Sequence, residues 1–184
     1  MKVFVDTNVW YPVSVADLVL RSVEFGLFDL AWTEEVLEEV ERVLVDSKGL
    51  PQVATRKFTA AIRAAAPDGR IDPDLYRHIV PRMTSLDADD HIHAAAVRGG
   101  HVDVLLTNNT RDFPPADVGS RCRVLRPDQF LTELARTYPI ELARIVAEMA
   151  AHLRNPTMTP QQVESRLRRS GLDRFVDAVA PLNS

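Results

Sequence analysis

The chain has 184 residues, 46% hydrophobic and 26% charged, the balance of an ordinary globular protein able to bury roughly 70% of the surface its unfolded form exposes. One cysteine, Cys122, excludes an internal disulfide framework and suits a reducing compartment. No apolar run approaches the ~20 residues that cross a bilayer, and Asp6 in the opening segment is unlike a signal peptide, so a cytoplasmic protein with no membrane attachment is expected. The net charge of −4, from 22 basic and 26 acidic side chains, argues against a simple phosphate-backbone binder, which carries a basic excess, unless the acids gather in one cation site. Only Lys2, Lys48 and Lys57 are lysines; the remaining arginines suit phosphates and equally fit a GC-rich genome.

Lys2 to Val5 reads as a short strand whose apolar run Val3-Phe4-Val5 suits a sheet covered on both faces. Asp6-Thr7-Asn8 are turn and N-cap types. Helical spacing follows over Val15 to Glu24, closed by Gly26. Phe28 to Trp32 reads as a second strand, and Thr33 caps a helix with Val36, Leu37, Val40, Val43 and Leu44 on one stripe. Residues 51–82 are predicted to be helical with breaks at prolines. Asp87 to Arg98 is predicted to be a helix ending at Gly99-Gly100. Val102 to Thr107 is the clearest strand, and Arg123 to Leu125 another. Alternating strands and helices make the fold class α/β with a parallel sheet. A helix is expected from Pro127 to about Leu134. The tail from Ile140 carries helical patterns only: one helix to Leu153, broken at Asn155-Pro156, one opened by Thr159-Pro160-Gln161-Gln162 and closed by Gly171, and a short last helix. The expected organisation is a domain over 1–139 and a helical extension over 140–184.

Ligands of open parallel sheets bind beyond the carboxyl ends of the strands. Asp6 follows the first strand there, and Asn109 and Asp112 follow the strand ending at Thr107. Asp87, Asp89 and Asp90 crowd the start of one helix; Glu35, Glu38 and Glu39 sit on the first turns of another. One acid at a helix start is ordinary. Several together are not, because two carboxylates ~4 Å apart repel by roughly 4 kcal/mol at an effective dielectric of ~20. Such a cluster survives by raising pKa values or by binding cations. All-oxygen ligands select hard ions such as Mg²⁺, Mn²⁺ or Ca²⁺.

Four segments carry a family resemblance, in order over residues 1 to about 130. Val5-Asp6-Thr7-Asn8-Val9 resembles the opening of PIN domains, the nuclease fold of the VapC toxins. Trp32 to Leu44, with Glu39, resembles their second motif. Asp87-Ala88-Asp89-Asp90 followed by Ala94-Ala95-Ala96 resembles the third. Leu106-Thr107-Asn108-Asn109-Thr110-Arg111-Asp112-Phe113-Pro114 resembles the fourth. The resemblance implies a three-layer α/β/α domain and a Mg²⁺- or Mn²⁺-dependent endoribonuclease, commonly the toxin of a type II toxin–antitoxin pair. It implies Asp6, Glu39 and Asp90 as catalytic metal ligands; Asp112, on the fourth motif, is read as a further catalytic ligand or supporting acid, and Asn8, Asp87, Thr107, Asn109 and Arg111 as supporting or substrate-contacting groups. Its implied partners are RNA (tRNA or another structured RNA), an antitoxin protein and a second copy of the chain. Some relatives carry an acid where Asn109 stands; here the acid is Asp112. Asn155-Pro156-Thr157-Met158-Thr159 and Gly171-Leu172-Asp173-Arg174-Phe175 resemble a C-terminal extension found on one subset of these proteins.

Other features read more plainly. Asp87 suits a helix N-cap, and Glu35, Glu38 and Glu41 suit a solvated helix face. His91 and His93 lack the i, i+4 spacing and the third ligand of a zinc site; near substrate they could carry protons. Arg111, Arg121, Arg123 and Arg126 suit an RNA groove or a solvated surface. Trp10 and Tyr11 suit packing better than base stacking. A haloacid-dehalogenase-type phosphatase would need a second acid at Asn8 and a later lysine, and no lysine follows Lys57. A PIN scaffold that binds RNA or a partner without cutting is the other alternative.

Overall fold

The structure is a computed structural model that describes residues 1–85, 87–152 and 157–182. The apolar opening forms β1 (Lys2–Val5), with Val3, Phe4 and Val5 buried. Asp6 ends it and caps the short α1 (Thr7–Trp10). α2 (Val13–Glu24) follows and stops at Gly26, which takes the left-handed φ of 70° that a side chain resists. β2 is Asp29–Ala31, shorter than the apolar pattern suggests. Trp32 leaves the ladder to bridge Arg70, its N–H bonding Gly69 O at 3.0 Å.

Thr33 caps α3 (Glu34–Lys48) as expected, its hydroxyl accepting from Val36 N at 3.2 Å. α4 (Gln52–Ala65) is the one α-helix between residues 51 and 82. The prolines reduce the rest to three 3-10 segments at Pro67–Gly69, Pro73–Leu75 and Arg77–Arg82, because each proline removes a backbone donor. α5 (His91–Gly99) starts later than its pattern implies: Asp87 accepts from Asp89 N at 3.0 Å in a local turn, and Asp90 takes the N-cap position. β3 (Val104–Leu106), α6 (Pro115–Val118) and β4 (Arg123–Leu125) follow. The last helices are α7 (Pro127–Thr137), α8 (Pro139–His152), α9 (Pro160–Arg169) and α10 (Asp173–Val179). Thr159 and Gln162 form the reciprocal capping box at α9 that their spacing implies. The expected break at Asn155-Pro156 lies outside the described residues.

The sheet order is β2-β1-β3-β4, and every pairing is parallel. With its flanking helices this is the expected α/β architecture with a parallel sheet, followed by a helical C-terminal region. β1 and β3 are the inner strands, and Val5 pairs with Leu106. Asp6 and Thr107 therefore leave the sheet side by side, with Asp6 N bonding Leu106 O at 2.9 Å.

The chain forms two compact units, one of Met1–Tyr11 with Phe28–Arg126, the other of Pro12–Leu27 with Pro127–Ser184. The first holds the sheet with α1, α3, α4, α5 and α6. The second is helical: Leu18, Phe130, Leu131, Leu142, Ile145, Val146, Leu167 and Phe175 are buried in it. Within it Asp128 accepts from Phe175 N at 3.0 Å, and the hydroxyls of Ser14 and Ser170 lie 3.0 Å apart. Within the same unit α7 packs on α10.

Candidate functional site

Asp6 is the best-held carboxylate of the sheet's carboxyl edge. It is 3% exposed. Its Oδ1 accepts from Thr7 N at 2.8 Å as the cap of α1, and its Oδ2 accepts from the Thr107 hydroxyl at 2.7 Å and from the Asn8 amide. Asn8 Nδ2 also reaches Thr107 Oγ1 at 3.1 Å, and Asn8 Oδ1 accepts from Asn108 N at 2.9 Å. Thr107 Oγ1 in turn accepts from Asn109 N at 2.9 Å. Asn8 and Thr107 thus tie the two strand ends together and fix the Asp6 rotamer, which leaves one carboxylate orientation facing the pit.

α5 supplies the opposite wall. Ala94, Ala95 and Ala96 are fully buried, and such small side chains let a helix lie close to its neighbours. Asp90 at its N-cap position makes no capping hydrogen bond, so its carboxylate is not spent on the helix. Burial pushes its pKa up to about 7, the charge of Asp6 adds to this, and Asp87 and Asp112 add further; His93 opposes the rise. One oxygen each from Asp6 and Asp90 and one ring nitrogen of His93 lie within 4.8 Å of one another.

His93 is the residue whose place here the sequence does not reveal. It is 3% exposed and tilts against the Phe4 ring, 6.1 Å between centroids. Nδ1 stands 3.5 Å from Asp6 Oδ1, and Nε2 3.2 Å from Glu39 Oε2. Nδ1 is buried with no hydrogen-bond partner. Burial lowers the imidazole's pKa, but Asp6, Glu39 and Asp90 together raise it above the usual value. A signal was present: His93 stands three residues after Asp90, on the same side of a helix.

Glu39 is half-buried and joins the pit through His93 and through the Thr7 hydroxyl, which donates to its Oε2 at 2.9 Å. The neighbouring acids of α3 differ. Glu34 pairs with Arg63 at 2.7 Å. Glu35 accepts from the Tyr76 hydroxyl at 2.6 Å and Arg77 at 2.7 Å; burial would raise its pKa, but these two donors hold it below the usual range. Glu41 accepts from Thr59 at 2.5 Å. Glu35 and Glu41 are therefore bound to neighbours and not merely solvated, while Glu38 is exposed.

Asp112 lies half-buried on the 3-10 turn Thr110–Asp112 and reaches the pit through its charge on Asp90. Asn109 and Arg111 are exposed on and beside the same turn, and Asp87 is exposed at the mouth. Trp10 is 2% exposed, donates to Val5 O at 3.2 Å and meets Phe58 edge-on at 5.9 Å; it is a packing residue, as expected. Arg121, Arg123 and Arg126 are exposed. Asp117, which no sequence pattern singles out, is 1% exposed. It accepts from Thr84 N and Ser85 N, both at 2.8 Å, and from the Thr84 hydroxyl at 2.9 Å. It anchors the segment that leads to Asp87 and Asp90.

The donor set fits a divalent cation. Two converging carboxylates repel, one of them holds a proton near neutrality, and a buried ring nitrogen beside them has no partner. Asp6, Asp90 and His93 are the side chains that could hold the ion, with Glu39 and Asp112 adjacent.

Comparison with family models finds two matches: the PIN domain over residues 2–111 and the VapC50 C-terminal domain over residues 127–181. No curated protein and no solved structure matches the chain. The first match spans more than half of the chain and ends on the turn that carries Asp112, and the second covers the C-terminal helices. The chain belongs to the PIN-domain family, as a VapC-type member with a C-terminal helical extension.

Proposed function

We propose that this protein is a Mg²⁺- or Mn²⁺-dependent endoribonuclease and the toxin of a type II toxin–antitoxin pair. The observation that carries the reading is the convergence of Asp6, Asp90 and His93 on one point, within a fold whose family is generally one of nucleases. Asp6 and Asp90 would hold the cation, with Glu39 and Asp112 supplying further negative charge beside it. When bound, the cation supplies positive charge that lowers the pKa of an attacking water and stabilises the phosphate oxygens in the transition state.

The chain's own groups have separable tasks. Thr7, Asn8 and Thr107 hold Asp6 in one orientation, so no reorganisation is needed when charge develops. The Thr7 hydroxyl also orients Glu39. Arg111 and Asn109, exposed on the turn after β3, would contact substrate phosphates. An antitoxin protein would silence the site by placing a basic or aromatic segment against the acids. A second copy of the chain is a further partner, and the setting is the cytoplasm.

The test is incubation of the purified protein with total RNA in Mg²⁺, in Mn²⁺ and in EDTA, beside Asp90→Asn. Fragments that appear only with metal and only with the unsubstituted protein support the nuclease. Intact RNA under all conditions overturns it and leaves an RNA- or protein-binding scaffold.

A further inference from the structure

We infer that His93 is itself a metal ligand, so that the centre is a mixed nitrogen–oxygen site that favours Mn²⁺ and other transition ions over Mg²⁺. The inference rests on the metal-dependent reading of the same pit and extends it, because the sequence alone suggests an all-oxygen ligand set.

The two ring nitrogens face different surroundings. Nε2 faces a carboxylate oxygen of Glu39 at 3.2 Å. A lone pair there would be repelled, so Nε2 carries a hydrogen. In the neutral ring the lone pair then belongs to Nδ1. That atom is buried, has no hydrogen-bond partner and looks at Asp6 Oδ1 across 3.5 Å. A lone pair facing a carboxylate oxygen in a buried pit is unfavourable unless something positive stands between them. A metal ion and a second ring proton are the two candidates.

Geometry favours the metal. Nδ1 lies 3.5 Å from Asp6 Oδ1, and one ring nitrogen, one Asp6 oxygen and one Asp90 oxygen all lie within 4.8 Å of one another. A ring proton needs one acceptor, and the 3.5 Å contact to Asp6 falls short of a hydrogen bond. Three donors around one point satisfy a cation. The Glu39 contact at Nε2 is the support that ligating imidazoles ordinarily have: the nitrogen away from the metal donates to a carboxylate, which sets the tautomer and strengthens the donor. The ring packs at a tilt against Phe4, 6.1 Å between centroids. An imidazole among carboxylates shifts preference from Mg²⁺, which takes oxygen and water, toward Mn²⁺, Co²⁺ and their neighbours.

The test reads the ligand directly. Metal-free protein is loaded with Mn²⁺, and bound ion is measured by electron spin resonance and its echo-envelope modulation. Imidazole nitrogen modulation is expected in the unsubstituted protein. It should persist in His91→Asn and vanish in His93→Asn, which should also lose a Mn²⁺-over-Mg²⁺ preference of about ten-fold or more in competition. If His93→Asn does not fold, the unsubstituted protein and His91→Asn decide, since both keep the ligand. Mn²⁺ bound without nitrogen modulation, or modulation lost in His91→Asn, overturns the role of His93 and leaves the metal-dependent reading standing. Failure to bind Mn²⁺ at all overturns both.

Discussion

Asp90 shows how far a single side chain can report on a site. Burial and the charge of Asp6 push its carboxyl up to about 7 from an ordinary 3.8. A group whose folded pKa is raised contributes stability that is fully present below its unfolded pKa and is lost as pH rises through the folded value. His93 is shifted in the same direction, so its contribution has the same sign. The melting temperature in EDTA should therefore fall from about pH 4 to about pH 7. Asp90→Asn should flatten that slope while reducing RNA cleavage by roughly 100-fold or more; a slope as steep in the variant would put the titration elsewhere. Thr107 permits a finer experiment. Thr107→Val keeps the shape and removes the hydroxyl that Asp6 accepts from. Cleavage should drop by about 10–100-fold, and stability should fall by about 1–3 kcal/mol because the buried hydroxyl also accepts from Asn109 N. An unchanged rate would mean that Asn8 and Thr7 suffice to hold the carboxylate.

At the level of elements, the site depends on how the segment before α5 is held. Asp117 lies in α6 and accepts three hydrogen bonds from Thr84 and Ser85 while almost fully buried. Asp117→Ala would strand two backbone donors, and should cost about 2–4 kcal/mol, read as a lower urea midpoint. Cleavage should fall with it, since Asp87 and Asp90 lose their lead-in. Stability unchanged to within ~0.5 kcal/mol, the range of ordinary surface substitutions, would show that the loop is held by other contacts. The end of α5 carries a related lesson. Gly99-Gly100 reads as a helix stop, and the helix does end there, yet neither glycine takes a left-handed φ; His101 does, at 50°. Gly99 is needed for room, because a Cβ there would collide with the Leu75 carbonyl. A pattern of letters shows that a helix ends but not which backbone comes up against it.

For the whole molecule the main expectation is ligand linkage. A cation that binds the folded chain and not the unfolded one stabilises it by about 2.7 kcal/mol at 100 times its dissociation constant. In a chain of 184 residues each kcal/mol moves the midpoint by about 2–4 °C. Mn²⁺ should therefore raise the melting temperature by several degrees, EDTA should reverse the rise, and Asp90→Asn should abolish it. An unmoved transition in saturating ion would count against the centre. The charge balance has the same origin. The chain is net acidic at −4 even though Arg111, Arg121, Arg123 and Arg126 are all exposed, and part of that acidity is the pit a cation would neutralise. No helix among the described residues is long and apolar enough to cross a membrane.

The chain's own letters determined the elements that local physics controls. The β1 core run, the Thr33 cap, the Thr159–Gln162 capping box and the proline breaks each act within a few residues, so they are legible without a structure. The parallel α/β class and the ordered acid motifs were legible for the same reason. Tertiary structure alone decided which acids meet. Five glutamates crowd α3, and only packing sends Glu34, Glu35 and Glu41 to Arg63, Tyr76 and Thr59 while Glu39 turns toward Thr7 and His93. Packing likewise buried His93 against the acids and bound Asp117 to the loop before Asp90, because such contacts join residues far apart along the chain, and no local pattern records which of them will share a buried space.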